Sequence, residues 1–172
     1  RRVLFRSLRV TVLVPNLRGA QNGFASGAHQ ISFPLSVSEA YSQANLRKSV
    51  DEALDDFEAI MNYRSEHPEY HGVRVGAGLA TAFGCTIAGT VDINDVIKAA
   101  ERIATLGVDE IGVADTVGYG NPRQCREIFT EVIAVAGDIP VAAHFHDTRG
   151  LGLANVDAAL EVGVRQIGRA HV

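Results

Sequence analysis

Val141 to Asn155 reads V-A-A-H-F-H-D-T-R-G-L-G-L-A-N, and this stretch decides the fold. An apolar run ends in two histidines one residue apart, followed by an acid, a hydroxyl and a glycine. Because side chains alternate between the two faces of a strand, His144 and His146 share one face and Phe145 takes the other. Parallel α/β folds place their ligands at the carboxyl ends of the strands. The stretch therefore predicts a functional site built on two imidazoles.

Outward from this strand, strand patterns and helical patterns alternate along the chain. Strand patterns cover Leu8 to Val14, Ala28 to Leu35, Val73 to Leu79, Glu110 to Ala114 and the run that begins at Val141. The longest helical segment opens at Ser38 and ends at His67-Pro68, and a last helix follows from about Leu151 to Gly163. Strands separated by helices predict right-handed crossovers and a parallel sheet.

A barrel and an open doubly wound sheet both fit this alternation. Asn16, Asp115 and the histidine pair all close strands, as expected where loops converge on one central site. Gly76-Ala77-Gly78 lacks the third glycine of a dinucleotide-binding loop. We therefore favour a (β/α)₈ barrel over the open sheet.

Both ends of the chain have an unusual coding relation. Arg1 to Ser7 and Gln166 to Val172 can be encoded by AGACGTGTGCTCTTCCGATCT and CAGATCGGAAGAGCACACGTC, reverse complements apart from one nucleotide at the edge of each. These sequences resemble a common sequencing adapter. We expect both flanks to be foreign, and Leu8 to Arg165 to be one partial catalytic domain.

Composition excludes several classes of function. Without the four flank arginines, Lys+Arg falls from 16 to 12 against 20 acidic residues, and the net charge moves from −4 to −8. An acidic chain without a basic stripe predicts no nucleic-acid partner. No apolar run approaches the ~20 residues of a membrane span, so no membrane partner is expected. Cys85 and Cys125 give neither a disulfide framework nor zinc spacing, which favours a cytoplasmic location.

Each candidate side chain also has a structural interpretation. A histidine at a strand end is often structural, although two neutral imidazoles with Asp147 beside them suit a divalent metal ion. Asp115 could cap the turn that follows it or act in catalysis. Cys85 and Cys125 are interpreted as packing residues.

Four motifs together carry a family resemblance. They are H-F-H-D-T-R-G-L-G-L-A-N from His144, V-L-V-P-N-L-R-G from Val12, A-F-G-C from Ala82 and D-T-V-G-Y-G-N-P from Asp115. In this order they resemble the hydroxymethylglutaryl-CoA lyase family of metal-dependent TIM-barrel enzymes. The similarity spans essentially all of Leu8 to Arg165.

The resemblance implies a carbon-carbon lyase that cleaves 3-hydroxy-3-methylglutaryl-CoA to acetoacetate and acetyl-CoA, a retro-Claisen reaction. It implies that His144 and His146 are ligands of Mg²⁺ or Mn²⁺, that His144 is also catalytic, and that Asp115 helps with the hydroxyl proton. The implied partner is an acyl-CoA thioester, and the full-length protein is expected to be a homo-oligomer.

The chain also departs from the family pattern. The aspartate ligand, arginine and glutamate of the family's first two strands would precede Leu8, and its catalytic cysteine and asparagine ligand would follow Arg165. Arg149 stands where family members are expected to vary, which leaves the acyl group open. A lyase for another 3-hydroxy-3-alkylglutaryl-CoA, an isopropylmalate- or homocitrate-type Claisen synthase and a non-catalytic interaction module remain alternatives.

These absences predict an incomplete barrel that holds strands three to seven. The strand at Val12 and the strand at Val141 would then both be edges with unpaired backbone groups. We expect Leu8 to Arg165 alone to be insoluble or molten and inactive, and trimming of the flanks to make no difference.

Overall fold

The computed structural model describes residues 8–170 as six strands joined by helices. The strands are β1 (Thr11–Leu13), β2 (Gln30–Ser36), β3 (Arg74–Ala80), β4 (Glu110–Asp115), β5 (Val141–His146) and β6 (Gln166–Ala170). The helices are α1 (Leu17–Ala25), α2 (Glu39–Leu46), α3 (Val50–Glu66), α4 (Ile93–Thr105), α5 (Pro122–Ala136) and α6 (Gly152–Glu161), with a 3₁₀ turn at Pro68–Tyr70. Within this described range, no helix has both the length and the apolar character that a membrane crossing requires.

All six strands are parallel and form one sheet in the order of the chain. Ile31 lies opposite Val75, and Ile111 lies opposite Val141, so the apolar positions of neighbouring strands are in register. A doubly wound sheet reverses its strand order at a switch point, whereas a barrel keeps it. The chain thus forms a partial (β/α)₈ TIM barrel, a curled sheet with its helices outside, and this prediction is confirmed.

The hydrophobic core lies between the sheet and the helices. Every second residue of β5 is buried there, and Phe145 is fully buried with its ring 5.9 Å from that of Phe83 and 6.0 Å from that of Phe129. Burial of one such side chain stabilises the fold by about 1.5–3 kcal/mol. The alternation predicted for this strand is confirmed, since His144 and His146 take the less buried face.

The single long helix predicted from Ser38 to His67 is wrong, because the chain breaks it in two. Helix α2 ends at Leu46, and Arg47 takes a left-handed conformation with φ 57°. Ser49 then begins α3 with a capping box, in which its hydroxyl accepts from the Glu52 N–H and the Glu52 carboxylate accepts from the Ser49 N–H. This box satisfies two backbone donors and favours a new start over a continued helix.

The prediction that the strand at Val141 is an edge is also wrong. Gln166–Ala170 pairs in parallel with β5 from Ala142 to His146, so β5 has a neighbour on each side. Helix α6 brings the chain back to the amino-terminal ends of the strands. The next extended segment then pairs with the side of β5 that faces away from β4. Among residues 8–170, strand β1 pairs with β2 alone and is an edge as predicted. The foreign origin of the flanks stays a prediction, and residues 1–7, 171 and 172 lie outside the described range.

The β1 edge predicts how the isolated chain behaves. Leu13 is 73% exposed on this edge strand, and an exposed apolar edge is a template for association. Leu13→Lys should raise the soluble monomer fraction, measured by analytical ultracentrifugation, because a charge blocks strand pairing. Ile87→Lys is the matched control, since Ile87 is 57% exposed but lies in a loop. An equal gain from both changes would contradict aggregation through the edge.

Candidate active site

The two histidines lie side by side on the concave face of the sheet. Their ring centroids are 5.1 Å apart, and the ring planes meet at 71°. Both rings line a cavity of about 510 Å³, whose other walls come largely from small side chains on the interior face of the neighbouring strands. These small residues include Gly78, Ala80, Gly112, Ala114 and Ala142. The fold therefore leaves room in front of both imidazoles.

His144 is held in its neutral form. Partial burial lowers the pKa of this imidazole, and a positive charge on His146 would lower it further. The ring lies against Gly168, where a β-carbon would come within 3.1 Å of His144 Nδ1. A neutral imidazole has a free nitrogen lone pair, which is what a metal ion or a proton requires. As the pH falls, protons compete for this nitrogen, but the lowered pKa shifts that competition to more acidic conditions.

The histidine pair fits the implied metal ion as part of a ligand set. Two neutral imidazoles on one face suit a divalent ion, and the cavity in front of them leaves space for further ligands. Among residues 8–170, no group of three or more His, Cys, Asp or Glu side chains could hold a metal ion. Two imidazoles leave the remaining coordination positions open for oxygen ligands, which Mg²⁺ and Mn²⁺ prefer.

Asp115 ends the neighbouring strand β4 but lies on its other face. It is fully buried, and its two carboxylate oxygens accept from the N–H of Tyr119 at 2.9 Å and of Gly120 at 3.0 Å. Burial raises the pKa of this carboxyl, while those N–H groups and a charge on His146 act in the opposite direction. The structure thus brings the two histidines together and gives Asp115 the contacts of a cap. Its catalytic role stays a prediction.

The loops after β4 and β5 contact one another closely. A β-carbon on Gly118, whose φ is +70°, would come within 2.6 Å of Thr148 Oγ1, so only glycine fits this approach. Asn155 is buried on α6, and its Nδ2 donates to the Gly120 carbonyl at 3.1 Å. The sequence analysis missed Asn155, whose only local signal is an amide among apolar helix residues. This contact fixes the loop that carries Asp115.

A buried hydroxyl network connects the ends of the preceding strands. Thr81 follows β3 in a left-handed conformation with φ 61°, and its Oγ1 lies 2.9 Å from Ser36 Oγ. The Thr81 N–H donates to Thr116 Oγ1 at 2.8 Å, which joins β3 to the loop after β4. Sequence patterns gave no sign of this network, because the three hydroxyls meet only in the fold. Asn16, also at a strand end, caps α1 by accepting from the Gly19 N–H.

Both cysteines have structural environments. The sulfur of Cys85 accepts from the N–H groups of Ile87 and Ala88, which closes a tight loop after β3. Cys125 is fully buried in α5, and burial raises its pKa to about 12. A thiol with so high a pKa is not a nucleophile near neutral pH.

Fold and site together define a TIM-barrel protein with paired imidazoles at the carboxyl end of a strand. Residues 6–170 match the HMGL-like family. The chain therefore belongs to the HMGL-like family. Within it, the chain resembles a hydroxymethylglutaryl-CoA lyase of Pseudomonas mevalonii, with 36% identity over 158 residues, or 90% of this chain and 50% of that protein.

Other relatives give a similar result. A hydroxymethylglutaryl-CoA lyase of Bacillus subtilis is 32% identical and covers 92% of this chain and 52% of its own length. An (R)-citramalyl-CoA lyase of Chloroflexus aurantiacus is 33% identical, covering 94% of this chain and 50% of itself. The chain spans about half the length of these curated relatives.

Solved structures agree with the fold. An HMG-CoA lyase from Acinetobacter baumannii, solved with coenzyme A and 3-methylmalate, superposes with a TM-score of 0.88 at 32% identity, covering 97% of this chain and 53% of that one. The carboxyltransferase domain of Rhizobium etli pyruvate carboxylase shares the fold alone, with a TM-score of 0.68 at 18% identity.

The site predicts a specific pattern of metal binding. In the complete protein that includes this chain, His144→Ala and His146→Ala should each lower the affinity for Mn²⁺ by at least roughly tenfold, because each change removes a direct ligand. Phe145→Leu is the control, since it alters the strand between them on the core side only. Calorimetric titration gives the affinities. Unchanged Mn²⁺ binding in both alanine variants would refute the ligand assignment.

Proposed function

We propose that this chain is the central part of a carbon-carbon lyase that cleaves 3-hydroxy-3-methylglutaryl-CoA to acetoacetate and acetyl-CoA. The observation that carries this proposal is the pair His144 and His146, set side by side on the cavity face in a chain whose relatives are named as such lyases. The chain covers about half of those relatives, so the activity is proposed for the complete protein.

The reaction sets clear demands on the site. A base removes the proton of the tertiary hydroxyl, that oxygen becomes a ketone, and the electrons of the broken C–C bond pass to the acetyl-CoA fragment as an enolate. A proton then adds to that carbon. His144 and His146 would hold Mg²⁺ or Mn²⁺, which when bound supplies a Lewis acid for the substrate oxygens. His144 is also catalytic in this proposal: its lone pair would hold the metal ion, and the N–H of its other ring nitrogen would donate a hydrogen bond to a reacting oxygen.

Asp115 is the proposed residue that helps with the hydroxyl proton. Burial raises the pKa of its carboxyl, which makes the carboxylate a stronger base. Asp115 and His146 end the neighbouring strands β4 and β5, and a charge on His146 would lower the pKa of the Asp115 carboxyl. To reach the hydroxyl proton, this carboxylate would turn from the helix side of β4 toward the cavity.

A second substrate is also supported by the relatives. The (R)-citramalyl-CoA lyase is 33% identical to this chain, within the range of the hydroxymethylglutaryl-CoA lyases, so identity does not separate the two. Both substrates are 3-hydroxyacyl thioesters that break the same kind of bond. A Claisen synthase of the isopropylmalate type, which forms such a bond, remains the further alternative.

The acyl-CoA substrate is the partner this proposal requires. A cytoplasmic location remains a prediction, since related lyases include one named cytoplasmic in Danio rerio and one named mitochondrial in Rattus norvegicus. The homo-oligomeric state and the absence of nucleic-acid and membrane partners also remain predictions.

Turnover by the complete protein tests the activity. Recovery of the neighbouring DNA would give the missing coding sequence, and the purified protein with Mn²⁺ should release acetyl-CoA from 3-hydroxy-3-methylglutaryl-CoA. Citramalyl-CoA is the comparison substrate, with product formation followed by mass spectrometry. Cleavage of citramalyl-CoA alone would move the proposal to the second substrate. Metal binding without cleavage of either thioester would contradict a lyase.

Asp115→Asn separates proton transfer from loop capping. If Asp115 handles a proton, kcat should fall by roughly 100-fold or more with Mn²⁺ affinity retained, because the amide keeps the size but cannot act as a base. Asp109→Asn is a matched control, since Asp109 also accepts a backbone N–H, that of Val75 at 2.7 Å, but at the opposite end of the sheet. It should lower thermal stability with kcat kept. A stability loss with near-normal kcat in the Asp115 variant would establish capping instead.

A further inference from the structure

Arg149 is a basic residue at the carboxyl end of the sheet, where basic residues are scarce. The loops that follow β1 to β5 within the described chain contain one Lys or Arg, and it is Arg149. It lies three residues after His146, in the loop that leads to α6. Because the chain carries a net charge of −4, an anionic ligand that approaches this end needs a local cation.

The guanidinium of Arg149 is held on an aromatic ring. Its central carbon lies 4.0 Å from the ring centroid of Tyr119, which belongs to the loop after β4. Stacking of this kind restrains the side chain and leaves the N–H donors at the rim of the guanidinium plane. The arginine is therefore preorganised across two loops.

Tyr119 is itself held in place by the surrounding loops. Its backbone N–H donates to Asp115 Oδ1 at 2.9 Å, and its side chain packs on Gly84. A β-carbon at Gly84 would come within 3.3 Å of Tyr119 Cβ and Cδ2, and the φ of +146° at this residue favours glycine. The loops after β3, β4 and β5 thus build one platform for Arg149.

Within the part of the chain that the structure describes, no acid forms an ion pair with Arg149. Other arginines form ion pairs, such as Arg64 with Asp109 at 2.8 Å and Arg126 with Glu161 at 2.6 Å. Across residues 8–170, Arg149 has no carboxylate within ion-pair distance. A stacked guanidinium without a carboxylate partner is suited to take two oxygens of a carboxylate or phosphate.

We propose that Arg149, stacked on Tyr119, binds an anionic oxygen group of the acyl-CoA substrate and determines which thioesters are accepted. This inference rests on the proposed function, because such a substrate carries a carboxylate on its acyl part and phosphates on its coenzyme part. Either group presents the planar or forked oxygens that a guanidinium recognises in two-point contact. Arg149 is a specificity-determining residue in this proposal and takes no part in bond cleavage.

Three substitutions in the complete protein test the proposal. Arg149→Gln should raise KM roughly tenfold to a hundredfold with a much smaller change in kcat, because a charged hydrogen bond is lost in substrate binding. The KM of Arg149→Lys should lie between those of the parent and Arg149→Gln, because the ammonium keeps the charge but cannot donate two parallel hydrogen bonds. Tyr119→Leu should weaken binding severalfold by releasing the arginine. Arg123→Gln is the charge control, because Arg123 is exposed on α5 and pairs with Glu127 on the same helix.

Two ligand series identify the anion. Loss of affinity for coenzyme A itself in Arg149→Gln, with binding of a pantetheine thioester unchanged, assigns the arginine to a phosphate. The pantetheine thioester of 3-hydroxy-3-methylglutarate has a free carboxylate, and that of 3-hydroxy-3-methylbutyrate has none. If Arg149→Gln loses affinity for the first thioester but not for the second, the arginine binds the carboxylate. Both results support an anion site.

Calorimetry without the divalent metal ion measures these affinities, because the proposed cleavage depends on that ion and the thioesters then stay intact. If the parent protein cleaves no thioester but Arg149→Gln still loses anion affinity, the lyase proposal fails and the anion site stands. Affinities and KM values of Arg149→Gln within twofold of the parent for every ligand would overturn the proposal. A loss of the same size in Arg123→Gln would overturn it as well, because the effect would then be one of net charge.

Discussion

The burial of Phe145 is the constraint on which the site depends. Its ring packs with those of Phe83 and Phe129, which also contact each other, in the layer between sheet and helices. A shift of β5 by one residue would place both flanking histidines in that apolar layer and expose the phenylalanine, at a cost of several kcal/mol. The core therefore fixes His144 and His146 on the cavity face. Packing of Phe145 on the core side of β5 therefore determines that both imidazoles face the cavity.

The rest of the site is a property of the loops, which hold one another in place. Gly118 lies against Thr148, and Asn155 reaches from α6 to the Gly120 carbonyl. These contacts tie the loop that ends β4 to the loop that ends β5. A change in either loop should therefore alter the other, which explains why the motifs D-T-V-G-Y-G-N-P and H-F-H-D-T-R-G form a single unit in space although they are distant in sequence.

Much of this architecture was predictable, because the strongest patterns are local. Alternation along β5 predicted the shared face of the histidines. The same two-residue alternation along β4 places Asp115 on the helix side with Ile111 and Val113, which the sequence analysis did not predict. The break at Arg47 was missed because helical periodicity on both sides masked the capping box. Thr81 and Asn155 could not be found from sequence, since their partners come from other elements. Gln166–Ala170 pairs with β5 although the sequence patterns predicted no strand there, because this segment was interpreted as a foreign flank.

The central claim is that the imidazoles of His144 and His146 bind one metal ion together. Pulsed electron paramagnetic resonance of Mn²⁺ in the complete protein, with ¹⁵N-labelled histidine, tests it most directly, because bound nitrogen couples to the metal spin. The account predicts coupling to two histidine nitrogens, with one lost in His144→Ala and the other in His146→Ala. Tightly bound Mn²⁺ without any histidine coupling would contradict it.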